Sequence, residues 1–261
     1  MITPKFGYLG QPQKKKSAER LSEKAFIPSG GEATTPKIIL AYLADDKGGK
    51  LTIRLGALLT GIGGVEVFHL KKILKLPDGV EDPLVRLAVA AQEGRAWLKD
   101  EGADILGWGV GGKEDGGLTL RLLPAFGANG ARGGADPGTG QGEGSGTGET
   151  LEIPGDLCED LEPLVAAVVL GTFGPTFKGM RGRLGESLGR FIEKTGPLVQ
   201  NLPFDLNDNQ VLSILNSVGN VYVAYSLLGG GAAQLDHAAD AYREAEKRGA
   251  KETQPLAWAS I

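Results

Sequence analysis

Short apolar runs alternate with helix-forming segments from Pro36 to Leu123, and this order restricts the fold more than any other feature of the chain. Lys37-Ile38-Ile39-Leu40-Ala41-Tyr42-Leu43 is too short for a helix and is bounded by turn residues, so it reads as a buried strand. A polar loop over Asp45–Lys50 follows, then Leu51–Ile62, where Leu51, Leu55, Leu58, Leu59 and Ile62 share a helical face that ends at Gly63-Gly64. Val65–Leu70 alternates as a second strand. Lys71–Gly79 reads as a basic loop with room for one more short strand. Asp82-Pro83 gives a helix start, an N-cap carboxylate followed by proline at the first helical position, and Gly102 closes that helix. Ala103–Val110 reads as a third strand, Gly111–Gly117 as a hairpin turn and Leu118–Leu123 as the return strand. The order β-α-β-α-β-β predicts an α/β fold with a mixed sheet and helices packed on it.

The remainder of the chain divides by composition. Gly127–Gly148 holds ten glycines in 22 residues, so ordering it costs entropy and buries little. It reads as a mobile, expanded hairpin loop, after which Thr150–Pro154 returns to the sheet. From Asp160 the pattern is helical. Leu161–Leu170 is strongly apolar, Arg183–Leu202 is interrupted near Gly196-Pro197, and Asn207 or Asp208 caps a further helix. That helix carries Leu212, Leu215, Val218, Gly219, Tyr222, Val223 and Tyr225 on one face. A second carries Leu235, Ala238, Ala239, Tyr242 and Ala245, and Gly229-Gly230-Gly231 turns the chain between them.

Composition removes several function classes. Net charge is −4 and the pI is about 5.4, so no general field attracts nucleic acid. The single cysteine, Cys158, allows no internal disulfide, and His69 and His237 are isolated, so no metal site is expected. No uninterrupted apolar run reaches the roughly 18 residues of a membrane span, and Lys14-Lys15-Lys16 has no apolar segment behind it. Residues 1–36 read as a mobile basic tail and the protein as cytoplasmic. A start further upstream would allow a periplasm-facing protein.

Candidate chemistry is sparse. Ala44–Leu51 occupies the strand-to-helix position of a phosphate loop, but Ala44 stands where glycine is needed and Leu51 where Ser or Thr would bind magnesium. Asp45 and Asp46 would also repel phosphate. The glycines of 138–148 lack dinucleotide-binding spacing. Glu93, Asp100, Glu101, Asp104, Glu114 and Asp115 fall on solvated faces and a turn. Ser213, Ser217 and Ser226 lie in a helix with no nucleophile elbow. Lys178, Arg181, Arg183, Arg190 and Lys194 form a basic cluster that reads as a solvated face or a dock for an acidic partner. Neither a cofactor nor a catalytic set is expected.

Two resemblances extend this reading. Gly219, Tyr222, Ala238, Tyr242 and Ala245 follow the small–aromatic–alanine–aromatic order of a tetratricopeptide repeat (TPR), with a turn about seven residues longer than usual. Pro255-Leu256-Ala257-Trp258-Ala259 resembles the start of a next repeat. Ala103, Asp104, Ile105, Leu106, Trp108 and Gly109 resemble a strand of the TolB amino-terminal domain found ahead of such arrays. The resemblance implies a TolB-like domain at 37–156, connecting helices at 157–205 and a TPR-like hairpin at 206–261. It also implies a non-enzymatic bacterial scaffold that binds another protein or peptide, or a second copy of itself. Gly219 and Ala238 would let the two helices approach, and Tyr242 would fill the space towards the next repeat. Asn216, Asn220 and Tyr222 would line the binding groove. One repeat cannot form that groove, so either more repeats follow Ile261 or the hairpin packs on the α/β domain or on a second copy. The alternative is a nucleotide- or small-molecule-binding regulator using the 44–51 loop.

Overall fold

A computed structural model describes residues 35–111, 117–125, 149–154, 161–173, 181–202 and 206–248. The expectations for the basic tail, the glycine-rich 127–148 segment, Cys158, Glu114, Asp115, Lys178 and Pro255–Ala259 lie outside the described residues.

The fold is α/β, with a mixed five-stranded sheet and six helices among the described residues. The strands are β1 (Lys37–Ala41), β2 (Glu66–Leu70), β3 (Ile105–Val110), β4 (Gly117–Pro124) and β5 (Glu149–Pro154). The helices are α1 (Lys50–Gly61), α2 (Pro83–Glu101), α3 (Glu162–Phe173), α4 (Arg181–Thr195), α5 (Asp208–Tyr225) and α6 (Ala233–Arg248). The sheet runs β2-β1-β3-β4-β5, with β1 parallel to β2 and β3, and with β3-β4-β5 antiparallel. No further strand forms in the 71–79 loop.

Connection handedness explains the layers. β1-α1-β2 steps one way along the sheet, and β2-α2-β3 steps back across β1. Right-handed crossovers in opposite directions place their helices on opposite faces. Accordingly, α1 packs with Ile38, Leu40 and Ile105, while α2 packs with Ile39, Ala41 and Leu106. Gly94 permits the close seating of α2, since a methyl there would come 2.8 Å from both Leu106 and Leu123. Asp82 caps α2 by accepting from the Leu84 and Val85 amides, as its sequence indicates.

The helical half does not stand apart. α3 is buried on nearly every side, from Leu164 to Leu170 and at Phe173, because it lies between the sheet and the outer helices. One core joins Leu120, Leu122 and Leu151 of the sheet to Val168 of α3, Leu188 of α4, Val218 of α5 and Ala238 of α6. The described residues therefore form one compact unit without internal domain boundaries.

Helix α5 and the turn after it, Asp208–Gly230, make a 23-residue segment with the length and apolar content of a membrane span. The sequence shows no uninterrupted apolar run there because Gln210, Ser213, Asn216, Ser217 and Asn220 punctuate it. In this fold it is a central helix, with most of its surface covered by β5, α3, α4 and α6.

Candidate functional site

The residues singled out on the paired helices fall along the α5–α6 seam. α5 starts with a full capping box. The Asn207 side chain accepts from the Gln210 amide, and Gln210 accepts from the Asn207 amide, each at 3.0 Å. α5 then continues as a single wide turn over Ser226–Gly230. Gly231 adopts a left-handed φ of 88°, and α6 begins at Ala233. The turn is thus shorter than the 229–235 span expected, because α6 starts two residues before Leu235.

The close approach in the seam is between Gly219 and Tyr242. A methyl on Gly219 would lie 2.3 Å from Cε1 of Tyr242. Ala238, Ala241 and Ala245 are buried along the facing side of α6. Tyr242 therefore fills space within its own hairpin, while the following repeat towards which it is expected to pack lies outside the described residues.

A polar chain links the seam to the sheet. The Tyr242 hydroxyl donates to Asn220 Oδ1 at 2.7 Å, and Asn220 Nδ2 donates to Glu149 Oε1 at 3.2 Å. Glu149 opens β5, so α6, α5 and the sheet are tied by three side chains. Burial pushes the Glu149 carboxyl up to about 7, opposed by hydrogen bonds from Asn220 and Ser217. Burial, and then the Glu149 charge, raises Tyr242 to about 12, so its hydroxyl keeps its proton and acts as a donor at neutral pH.

A second link joins α5 to the sheet edge. Ser213 Oγ accepts from the Glu152 amide at 2.7 Å and donates to the Thr150 carbonyl at 3.4 Å. β5 is an edge strand, and Ser213 occupies backbone groups that would otherwise offer a pairing edge. Neither Glu149 nor this role of Ser213 is legible from sequence, since their partners lie more than sixty residues away.

The groove expected over this helix is not open at two of its residues. Asn216 and Tyr222 are each only 8% exposed. The reason is topological: this face of α5 is turned into the core. Tyr222 stacks near His237, with ring centroids 5.2 Å apart, and burial raises its hydroxyl pKa. Asn220 is exposed and Tyr242 half-buried, but each is engaged in the polar chain.

The 44–51 loop has its own occupant. Asp46 accepts from the Leu51 amide at 3.2 Å, the Thr52 amide at 2.8 Å and the Thr52 hydroxyl at 2.8 Å. A carboxylate from the chain itself thus fills the position where a helix N-terminus would receive phosphate. The Ala44 amide donates to Gly109 and the Gly111 amide donates to Ala44, at 2.9 and 2.8 Å, which draws together the ends of β1 and β3. Ligands of open α/β sheets commonly enter at this point, where the strand order reverses.

The other sequence-selected groups remain dispersed. Glu93, Asp100 and Glu101 are exposed, and Asp104 accepts from the Lys37 amide at 2.8 Å. Arg183, Arg190 and Lys194 are exposed on α4. Among the described residues no three His, Cys, Asp or Glu side chains gather as a metal site. No family model matches the chain, no curated protein matches its sequence, and no solved structure matches its fold.

Proposed function

We propose that the protein is a non-catalytic protein–protein interaction or scaffold protein. The TPR-like hairpin braces the sheet, and the contact surface is the outer face of α2. The observation that supports this reading is a cluster of half-exposed aliphatic side chains on α2: Leu84 at 50%, Val85 at 47% and Val89 at 47%. Ala88 is exposed beside them, and residues at these spacings share one helical face. The neighbouring stripe of the helix, at Ala90, Ala91, Gly94 and Leu98, is already packed. Grouped apolar side chains on a solvent-facing helix favour docking of another polypeptide or of a second copy of the chain.

A nucleotide-binding regulator at 44–51 is the weaker reading, because an incoming phosphate must first displace Asp46. The docking reading is tested with the triple variant Leu84→Ser/Val85→Ser/Val89→Ser. It should keep the wild-type fold by circular dichroism and lose partner recovery or self-association in light scattering. Full retention of both would contradict it.

A further inference from the structure

We propose that Trp108 and Arg121 form a receptor for a carboxylate, on the sheet face away from α3 and α5. The two residues stand directly opposite each other in the antiparallel β3–β4 register. They follow the Leu106–Leu123 pair that α2 covers, and so lie on the same face of the sheet. The guanidinium stands over the indole ring, with Cζ 5.1 Å from its centroid.

Three N–H donors of this pair are buried with no acceptor among the described residues: Trp108 Nε1, Arg121 Nε and Arg121 Nη1. Trp108 is only 1% exposed, so its indole N–H has left bulk water. Buried donors normally have partners, and an unmet one is a standing cost to the folded state. Arg121 itself is part-exposed, although its Nε and Nη1 are covered, so an acceptor reaches them only when the side chain shifts.

The chemistry selects the ligand class. Every orphaned group is a donor and the pair carries one positive charge, so its complement is an anionic acceptor. The guanidinium stands over the indole ring, and its fork of N–H donors suits a planar carboxylate. Glu152 lies on the same face of the neighbouring strand, and its charge acts on Arg121 without an ion pair forming. That nearby negative charge opposes a doubly charged phosphate more than a singly charged carboxylate. Burial lowers the Arg121 pKa, and a bound anion would reverse that shift. The carboxylate belongs either to a small organic acid or to an acidic side chain of a polypeptide.

The test is a titration of the 15N-labelled full chain with sodium acetate, and separately with a short aspartate-containing peptide, against sodium chloride at equal ionic strength. Indole N–H signals are the readout, with Trp108→Phe assigning the Trp108 resonance. The expected result is a saturable shift of the Trp108 indole alone, weakened about tenfold or more in Arg121→Gln and strengthened in Glu152→Gln. Binding of the peptide much more tightly than acetate would assign the carboxylate to a polypeptide; equal binding would assign it to a small acid. A Trp108 signal that moves no more in acetate than in chloride overturns the proposal. So does weaker binding in Glu152→Gln, and that variant decides the matter if Arg121→Gln does not fold. None of these side chains lies on the outer face of α2, so failure here leaves the docking reading intact.

Discussion

The ring of Tyr242 lies across Gly219, with room for a hydrogen but not for a methyl. This contact sets the spacing of α5 and α6. Two effects compete in Gly219→Ala. Alanine gains roughly 1 kcal/mol of helix propensity over glycine, while overpacking against an aromatic ring costs about 1–3 kcal/mol. The ring cannot retreat without losing its 2.7 Å hydrogen bond to Asn220, so the cost prevails. Urea unfolding should show Gly219→Ala destabilised by about 1 kcal/mol or more. In a Tyr242→Ala background the same change should be neutral or stabilising, because its obstacle is gone.

Glu149 makes the seam sensitive to pH. Its carboxyl titrates near 7 in the folded chain against 4.5 as the ordinary value. A raised carboxyl pKa means that the folded state holds the proton more tightly than the unfolded state. The stabilisation from this group is therefore complete below about 4.5 and is lost as pH rises through about 7. Thermal melts between these values should fall with pH more steeply for the wild type than for Glu149→Gln. Parallel curves would remove Glu149 from the account.

Most of the scaffold is legible in the sequence because its signals are local. The Asp82-Pro83 start and Gly102 stop bound α2 without reference to the rest of the fold, and apolar alternation marks β2 and β4. The β-α-β-α-β-β order then fixes the layers through crossover handedness. Three-dimensional convergence is not local. Glu149 meets Asn220 across 71 positions, and Ser213 meets Glu152 across 61. Asn216 and Tyr222 have helical spacing suited to a groove, but spacing does not tell a solvent-facing groove from a core when a sheet waits on that side. The α2 patch escapes sequence reading for the same reason: only the packing shows that Ala90, Ala91 and Gly94 are covered while Leu84, Val85 and Val89 are left outside.

Asp46 acts as the cap of α1, although it precedes the helix by four positions. Its carboxylate takes two helix amides and the Thr52 hydroxyl, while the Leu43 amide donates to that same hydroxyl oxygen at 3.1 Å. Asp46→Ala should cost about 1–2 kcal/mol, the usual scale for a lost cap. Thermal shift with inorganic phosphate should be flat for the wild type. A clear rise in melting temperature for the wild type would restore the nucleotide reading.

Ser213 guards the β5 edge. Ser213→Ala removes the acceptor of the Glu152 amide and should cost about 1 kcal/mol. Hydrogen exchange should report it directly, with the Glu152 amide exchanging faster while amides of β1 stay protected. Unchanged exchange at Glu152 would mean that the helix does not close this edge in solution.

The docking role of α2 is tested most directly by site-specific photocrosslinking in cells. A benzophenone amino acid is placed at Val89, with Arg243 on α6 as an exposed control. A discrete crosslinked polypeptide, partner or second copy, is expected from Val89 and none from Arg243, with the Val89 product lost when Leu84 and Val85 are changed to serine. No product from Val89, or an equal pattern from both positions, would contradict it.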